Sequence, residues 1–284
     1  MNLFKKFFLS VILAAVSQAW GQSAETRQQF YHPEQVPVVR PVRPFEPEFN
    51  AALTLSSRYM RDGWCRNSDP VALGQAELTE SGLYLGTRSS FDFTNKARRR
   101  NRFQDARFYM GFGMPFTQTG CMGPVVVDIC WTYNLYPDHA KENSGELSLA
   151  FQLNEIWQKG RWAQSGDLTF SHNYDKNETY AVLGTTLYFV LREDGSLQLE
   201  NSAMLYWGDT RKLHRLTDSQ CDGNAFYTAA YQCSLPWHFK ENWTLTPFLE
   251  VDIHPDGRAR KAAKADDFNS TVNFLAGLRL SCHF

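Results

Sequence analysis

The chain has 284 residues, a formal net charge of -1 and a mean hydropathy of -0.42. Near-neutral charge gives no electrostatic reason to expect a nucleic-acid partner, and the polar average excludes a polytopic bundle of transmembrane helices. Aromatics are nonetheless abundant, with 21 Phe, 12 Tyr and 8 Trp; a porin-type barrel has this profile because lipid-facing and lumen-facing residues alternate and their hydropathies cancel, and a soluble β-sandwich fits it too.

Residues 1–21 read as a cleaved secretory signal. Lys5 and Lys6 supply the positive start, residues 7–15 a short apolar core, and Ala19 and Gly21 small residues before the cleavage point. The apolar stretch falls short of the roughly 20 residues that a membrane-spanning helix needs. Residues 22–48 form a Pro-rich extension, with Pro37, Pro41 and Pro44 spaced so that backbone donors are few. It is expected to be a periplasmic arm or linker.

From residue 49 onward, apolar and polar residues alternate with a period of two, broken by turn residues. The predicted strands are 49–61, 71–80, 82–93, 106–115, 123–136, 145–154, 165–174, 177–191, 196–208, 223–236, 241–253 and 270–284. Several reach 10 residues or more, longer than the ~5–6 typical of soluble sheets. An even number of long amphipathic strands predicts an all-β chain folded over 49–284 as a closed antiparallel up-and-down transmembrane barrel of about 12 strands in an outer membrane. The last segment shows the alternation most clearly. Phe274, Leu278, Leu280 and Phe284 share one face, and a final strand ending in Phe is the pattern that outer-membrane barrels present to their assembly machinery. Lipid and lipopolysaccharide are the surroundings expected on the outer face.

With both ends in the periplasm, the outward connections are 62–70, 94–105, 137–144, 175–176, 209–222 and 254–269. The inner turns are Ser81, 116–122, 155–164, 192–195 and 237–240, of which 155–164 is long for its side. Three outer loops are basic: Lys96, Arg98, Arg99, Arg100 and Arg102; Arg211, Lys212, His214 and Arg215; Arg258, Arg260, Lys261 and Lys264. Contact with lipopolysaccharide phosphates and general solubility is the expected role in preference to a bound anionic ligand, since basic clusters attract anions without specificity.

The strand register points Arg58, Glu77, Arg88, Asp92, Asp128, Glu200, Glu250, Asp252 and Arg279 into the lumen. Inward charges suit a wet or ion-paired interior and would be costly in a dry sandwich core. Twelve strands lie between the eight that side chains just fill and the sixteen that leave an open channel. The expected function is therefore a narrow pore for passive uptake of a small solute of unspecified identity; an occluded barrel with a structural or partner-binding role is the alternative.

The six cysteines include no Cys-x-x-Cys pair, so no zinc site is expected, and no cofactor motif occurs. Cys65 and Cys221 both fall in outward loops and form the preferred disulfide pair; no connectivity follows from sequence alone. Ser171, His172 and Asn173 are the nearest approach to a lipid-hydrolase site, but neighbours in a strand point to opposite faces, so no catalytic residue is assigned.

The stretch 53–63, Leu-Thr-Leu-Ser-Ser-Arg-Tyr-Met-Arg-Asp-Gly, resembles the first strand of the TorF-like porins (the Gcw family of outer-membrane barrels) with its Tyr-x-x-Arg-Gly ending, here with Asp62 inserted between Arg61 and Gly63. Stretches 82–86 and 145–149 resemble later hairpins of that family. The resemblance spans about 49–284 and implies an outer-membrane barrel; it carries no assigned activity.

Overall fold

The computed structural model describes residues 47–93, 103–116, 125–137, 140–217, 223–266 and 268–284. The expected signal, nearly all of the N-terminal extension, the basic run 96–102 and Cys221 lie outside these.

Among the described residues, the wall is built from β1 (Glu48–Ser56), β4 (Val71–Glu80), β5 (Leu83–Asp92), β6 (Phe103–Phe116), β7 (Val125–Leu135), β8 (Ser144–Lys159), β9 (Trp162–Asn173), β10 (Glu178–Val190), β11 (Gln198–Gly208), β12 (Ala225–Ser234), β14 (Trp243–Ile253) and β15 (Val272–His283). Each pairs antiparallel with its sequence neighbour, and β1 pairs with β15 from Asn50↔His283 to Ser56↔Gly277, so the twelve strands close into a barrel. Phe49 and Phe284 seal the seam by donating their backbone N–H groups to each other's carbonyls at 2.8 and 2.9 Å. Closure leaves no unpaired edge, which a sheet in hydrocarbon requires.

Burial is inverted relative to a water-soluble sheet. Along β1, Leu53 and Leu55 are 51% and 46% exposed, while Thr54 between them is 4% exposed. Phe274 and Leu249 stand out at 65% and 64%, whereas Glu200 and Asp252 are buried inside. This outward apolar band is what hydrocarbon would cover, and among the described residues no second sheet packs on it.

Among the described residues, some turns at the end nearest the termini are tight. Ser81 and Gly82 both take positive φ, 51° and 84°, the two-residue hairpin whose twist matches its strands. The expected long turn 155–164 is corrected. β8 runs to Lys159 and β9 starts at Trp162, around Gly160 at φ 61°. A register shift between Leu153 and Trp157 puts extra residues into β8, and such a bulge breaks the alternation on which the sequence reading depended. A second break lies at Pro236, which cannot donate a ladder hydrogen bond. Beyond it β13 (Trp237–Lys240) resumes the pairing with β14, so β12 and β13 are one interrupted strand of the wall.

The opposite end carries more structure than loops. The predicted first strand ends at Ser56, not 61, and 57–70 contains a small hairpin, β2 (Tyr59–Arg61) and β3 (Trp64–Asn67), that pairs with itself. Helix α1 (Thr210–Leu216) is capped by Asp209 and α2 (Gly257–Ala265) by Asp256, each carboxylate accepting first-turn N–H groups. Trp64, Leu213, Leu216, Tyr227, Ala259 and Ala263 meet in one buried apolar cluster that binds hairpin, helices and wall together.

Candidate functional site: the lumen and the hairpin at its mouth

Residues 57–61 were expected as the end of the first strand and 62–70 as an outward loop; together they turn across the mouth instead. Asp62 and Gly63 form its tip with φ of 51° and 70°, and the Asp-Gly pair at 62–63 is a hairpin signal that the strand assignment through 61 obscured. A Cβ on Gly63 would lie 2.9 Å from the Thr228 Cβ, so only glycine fits that approach.

The hairpin is pinned to two separated parts of the wall. On one side the Arg61 guanidinium donates to Asp105 on β6 at 2.5 Å and to Asn134 on β7 at 2.9 Å, and the Tyr59 hydroxyl donates to the same Asp105 at 2.7 Å. On the other side Lys212 of α1 meets Asp62 at 2.8 Å, the Tyr227 hydroxyl donates to the Asp62 carbonyl, and the Thr228 hydroxyl donates to the Gly63 carbonyl at 2.6 Å. Trp64, fully buried, donates its indole N–H to Asp266 at 3.0 Å and lies 4.7 Å from the His254 ring. Burial alone would raise the Asp62 carboxyl; Lys212, Arg107 and Arg61 overrule it and hold the group well below the usual carboxylate range. Burial also pulls the Lys212 ammonium below its ordinary value, with Asp62 opposing.

Beneath the hairpin lies a cavity of about 420 Å³. Arg58, Arg88, Asp128, Glu250 and Arg279 line it. Arg58 donates to Asn273 at 3.2 Å and Arg279 to Thr54 at 3.0 Å. Asp128 accepts from the Tyr84 hydroxyl at 2.8 Å. Glu77 accepts from Tyr109 at 3.0 Å, and Glu200 from Ser234 at 3.0 Å, both buried against the wall. Asp92 and Asp252 are also buried, Asp252 two residues from Glu250 on β14. Two rings lie flat on facing glycines, Tyr109 over Gly86 and Tyr84 over Gly111. That packing keeps bulky residues on the wall and leaves the cavity free.

Both signs of charge are distributed around the ring, and Glu77, Asp92 and Asp105 on β4–β6 are buried in the sector that holds the arginines. Arg279, Arg58, Arg88 and Arg107 come from the sector β15 to β6, and Asp128, Glu146, Asp167 and Glu250 from β7 through β14. Arg107, Arg61, Asp62, Asp105 and Lys212 were not among the predicted lumen residues. Arg107 and Asp105 share the inward alternation of Tyr109 on β6 and were legible in principle; Arg61, Asp62 and Lys212 depend on how the hairpin folds.

Other expected sites fall as follows. Lys212 is buried and Arg215 donates to Glu178 at 2.7 Å, so these two members of the fifth loop's basic cluster serve internal pairs. Cys65 is buried, its thiol 3.4 Å from the Asn67 carbonyl. Phe274, Leu278, Leu280 and Phe284 all stand exposed on the outer face. The Ser171 hydroxyl pairs with Ser148 at 2.8 Å on the lumen side, and His172, on the other face of β9, pairs with Thr179 at 3.1 Å.

No protein-family model and no curated protein matches the sequence. Among solved structures, an outer-membrane channel from Pseudomonas putida aligns with a TM-score of 0.50 and 11% identity over 86% of this chain and 97% of that one. The NanC porin aligns with a TM-score of 0.46 and 9% identity over 82% and 98%, and the KdgM porin with 0.44 and 6% over 84% and 98%. The first of these likenesses places the chain among barrels of outer-membrane type in fold.

Proposed function

We propose that this chain is a narrow outer-membrane channel for passive passage of small solutes, with the 57–70 hairpin as its constriction. The observation that carries this is the cavity lined by ionisable side chains of both signs beneath the hairpin. An interior built only for stability would do better filled with apolar or fully paired groups. A charged lumen instead passes solutes by size and charge.

Export would use the signal over 1–21, the 22–48 arm would stay periplasmic, and the exposed Phe274, Leu278, Leu280 and Phe284 would serve barrel assembly. Lipopolysaccharide would meet the loop end. Kinship with the TorF-like porins would rest on the resemblance of 53–63, whose Tyr59, Arg61 and Gly63 belong to the hairpin proposed as the constriction.

Planar-bilayer recording of refolded protein tests the proposal. Small discrete conductance steps are expected, larger when 59–67 is replaced by a short Gly-Ser turn. A parent and a shortened variant that both insert without conducting would defeat the channel and leave an occluded structural barrel.

A further inference from the structure

We propose that Arg88 and Arg107 form an oxyanion subsite in the lumen, selecting solutes that carry a carboxylate or a phosphate; this rests on the channel reading above for its biological use, not for its chemistry. The two arginines are directly opposed across the β5–β6 ladder, and both line the cavity. Like charges in that position repel, so the pairing weakens the wall unless something between them compensates.

The protein's own carboxylates are committed elsewhere. Asp105 accepts from Arg61, Tyr59 and Ser90. Asp62 stands 3.6 Å from Arg107 but is held at 2.8 Å by Lys212. Among the described residues Arg88 forms neither a hydrogen bond nor an ion pair. Asp105 and Glu250 feel its charge without bonding it. Arginine offers a planar fork of donors that matches an oxyanion in bidentate fashion and stays charged at any physiological pH. Two such forks on adjacent strands, one of them uncommitted, at the wall of a cavity, make a receptor for an oxyanion. The hairpin sits directly above, so a solute crossing the mouth meets this pair.

Melting of refolded protein in detergent, with sodium gluconate, sodium phosphate or sodium chloride at equal ionic strength, reads the site without requiring conductance. A ligand that binds only the folded form raises the melting temperature with its concentration. Gluconate or phosphate is expected to raise it above chloride in the parent, and not in Arg88→Gln. Gluconate alone identifies a carboxylate site, phosphate alone a phosphate site, and both a general oxyanion site; no rise over chloride in the parent overturns the proposal. Without ligand, Arg88→Gln is expected to melt at or above the parent, because it removes a repulsion. A clear drop would make Arg88 a structural brace and overturn the subsite. Arg88→Lys keeps the charge but loses the fork, so its oxyanion shift is expected to be smaller than the parent's; an equal or larger shift counts against fork recognition. In bilayers under a KCl gradient, Arg88→Gln is expected to lower the anion-over-cation permeability ratio about threefold. Absence of any conductance in the parent would defeat the channel reading alone, with the melting series still deciding the site.

Discussion

Lys212 and Asp62 meet at 2.8 Å although 150 residues separate them in the chain. The contact ties the helix within the β11–β12 connection to the tip of the hairpin that follows the first strand. Both partners are largely removed from water, Lys212 almost completely, so the pair belongs to the class in which losing one member strands a buried charge.

Asp62→Asn keeps the shape of the tip and leaves the Lys212 ammonium without its counter-ion. Docking of the hairpin is expected to weaken by about 3–5 kcal/mol. Amide hydrogen exchange over 59–67 checks this, with faster exchange there and little change in the wall. Channel noise or open probability should rise in the same variant.

Gly63→Val tests the tip by a different route. Its φ of 70° strains a β-branched residue, and the new Cβ would collide with Thr228. The expected result is an undocked hairpin on an intact barrel: an unchanged β-sheet circular dichroism signal with protease cleavage gained in 57–70. Resistance to protease equal to the parent's would show that the approach is not tight.

His254 makes docking sensitive to acid. Burial lowers its pKa below the ordinary 6.5, although the Tyr227 carbonyl and Asn269 favour the charged form. The folded protein therefore binds fewer protons at this site than the unfolded one, and stability falls as pH drops below about 6.5 towards the lower folded value. Above that window the contribution is level. Hydrogen exchange over 59–67, corrected for intrinsic rate, should speed up between pH 7 and pH 5, and His254→Gln should flatten that dependence.

A pair of substitutions distinguishes hydrocarbon from water on the two faces of one hairpin. Leu85 points outward and is 58% exposed; Gln75, on the neighbouring strand, faces the lumen beside Tyr109. Leu85→Arg is expected to cost about 2–4 kcal/mol if near the bilayer midplane, and Gln75→Arg much less. Urea unfolding in lipid vesicles measures both. Equal costs would contradict a lipid-facing outer surface.

The wall was legible in the sequence because its signal is local. Alternation within each segment marks the face that meets lipid and the face that meets the lumen, and all twelve strands follow from it. It failed where a bulge in β8 shifted the period and where Pro236 interrupted a strand. The inward alternation of Arg107 was likewise readable from its own strand.

The mouth was decided by tertiary structure. Nothing near Asp62 indicates that its partners are Lys212 and Arg107, and nothing near Arg61 points to Asp105 and Asn134. Those pairs exist because barrel closure brings β6, β7 and β12 around one opening. The opposition of Arg88 and Arg107 likewise depends on the register between β5 and β6, a relation between two strands that neither contains by itself.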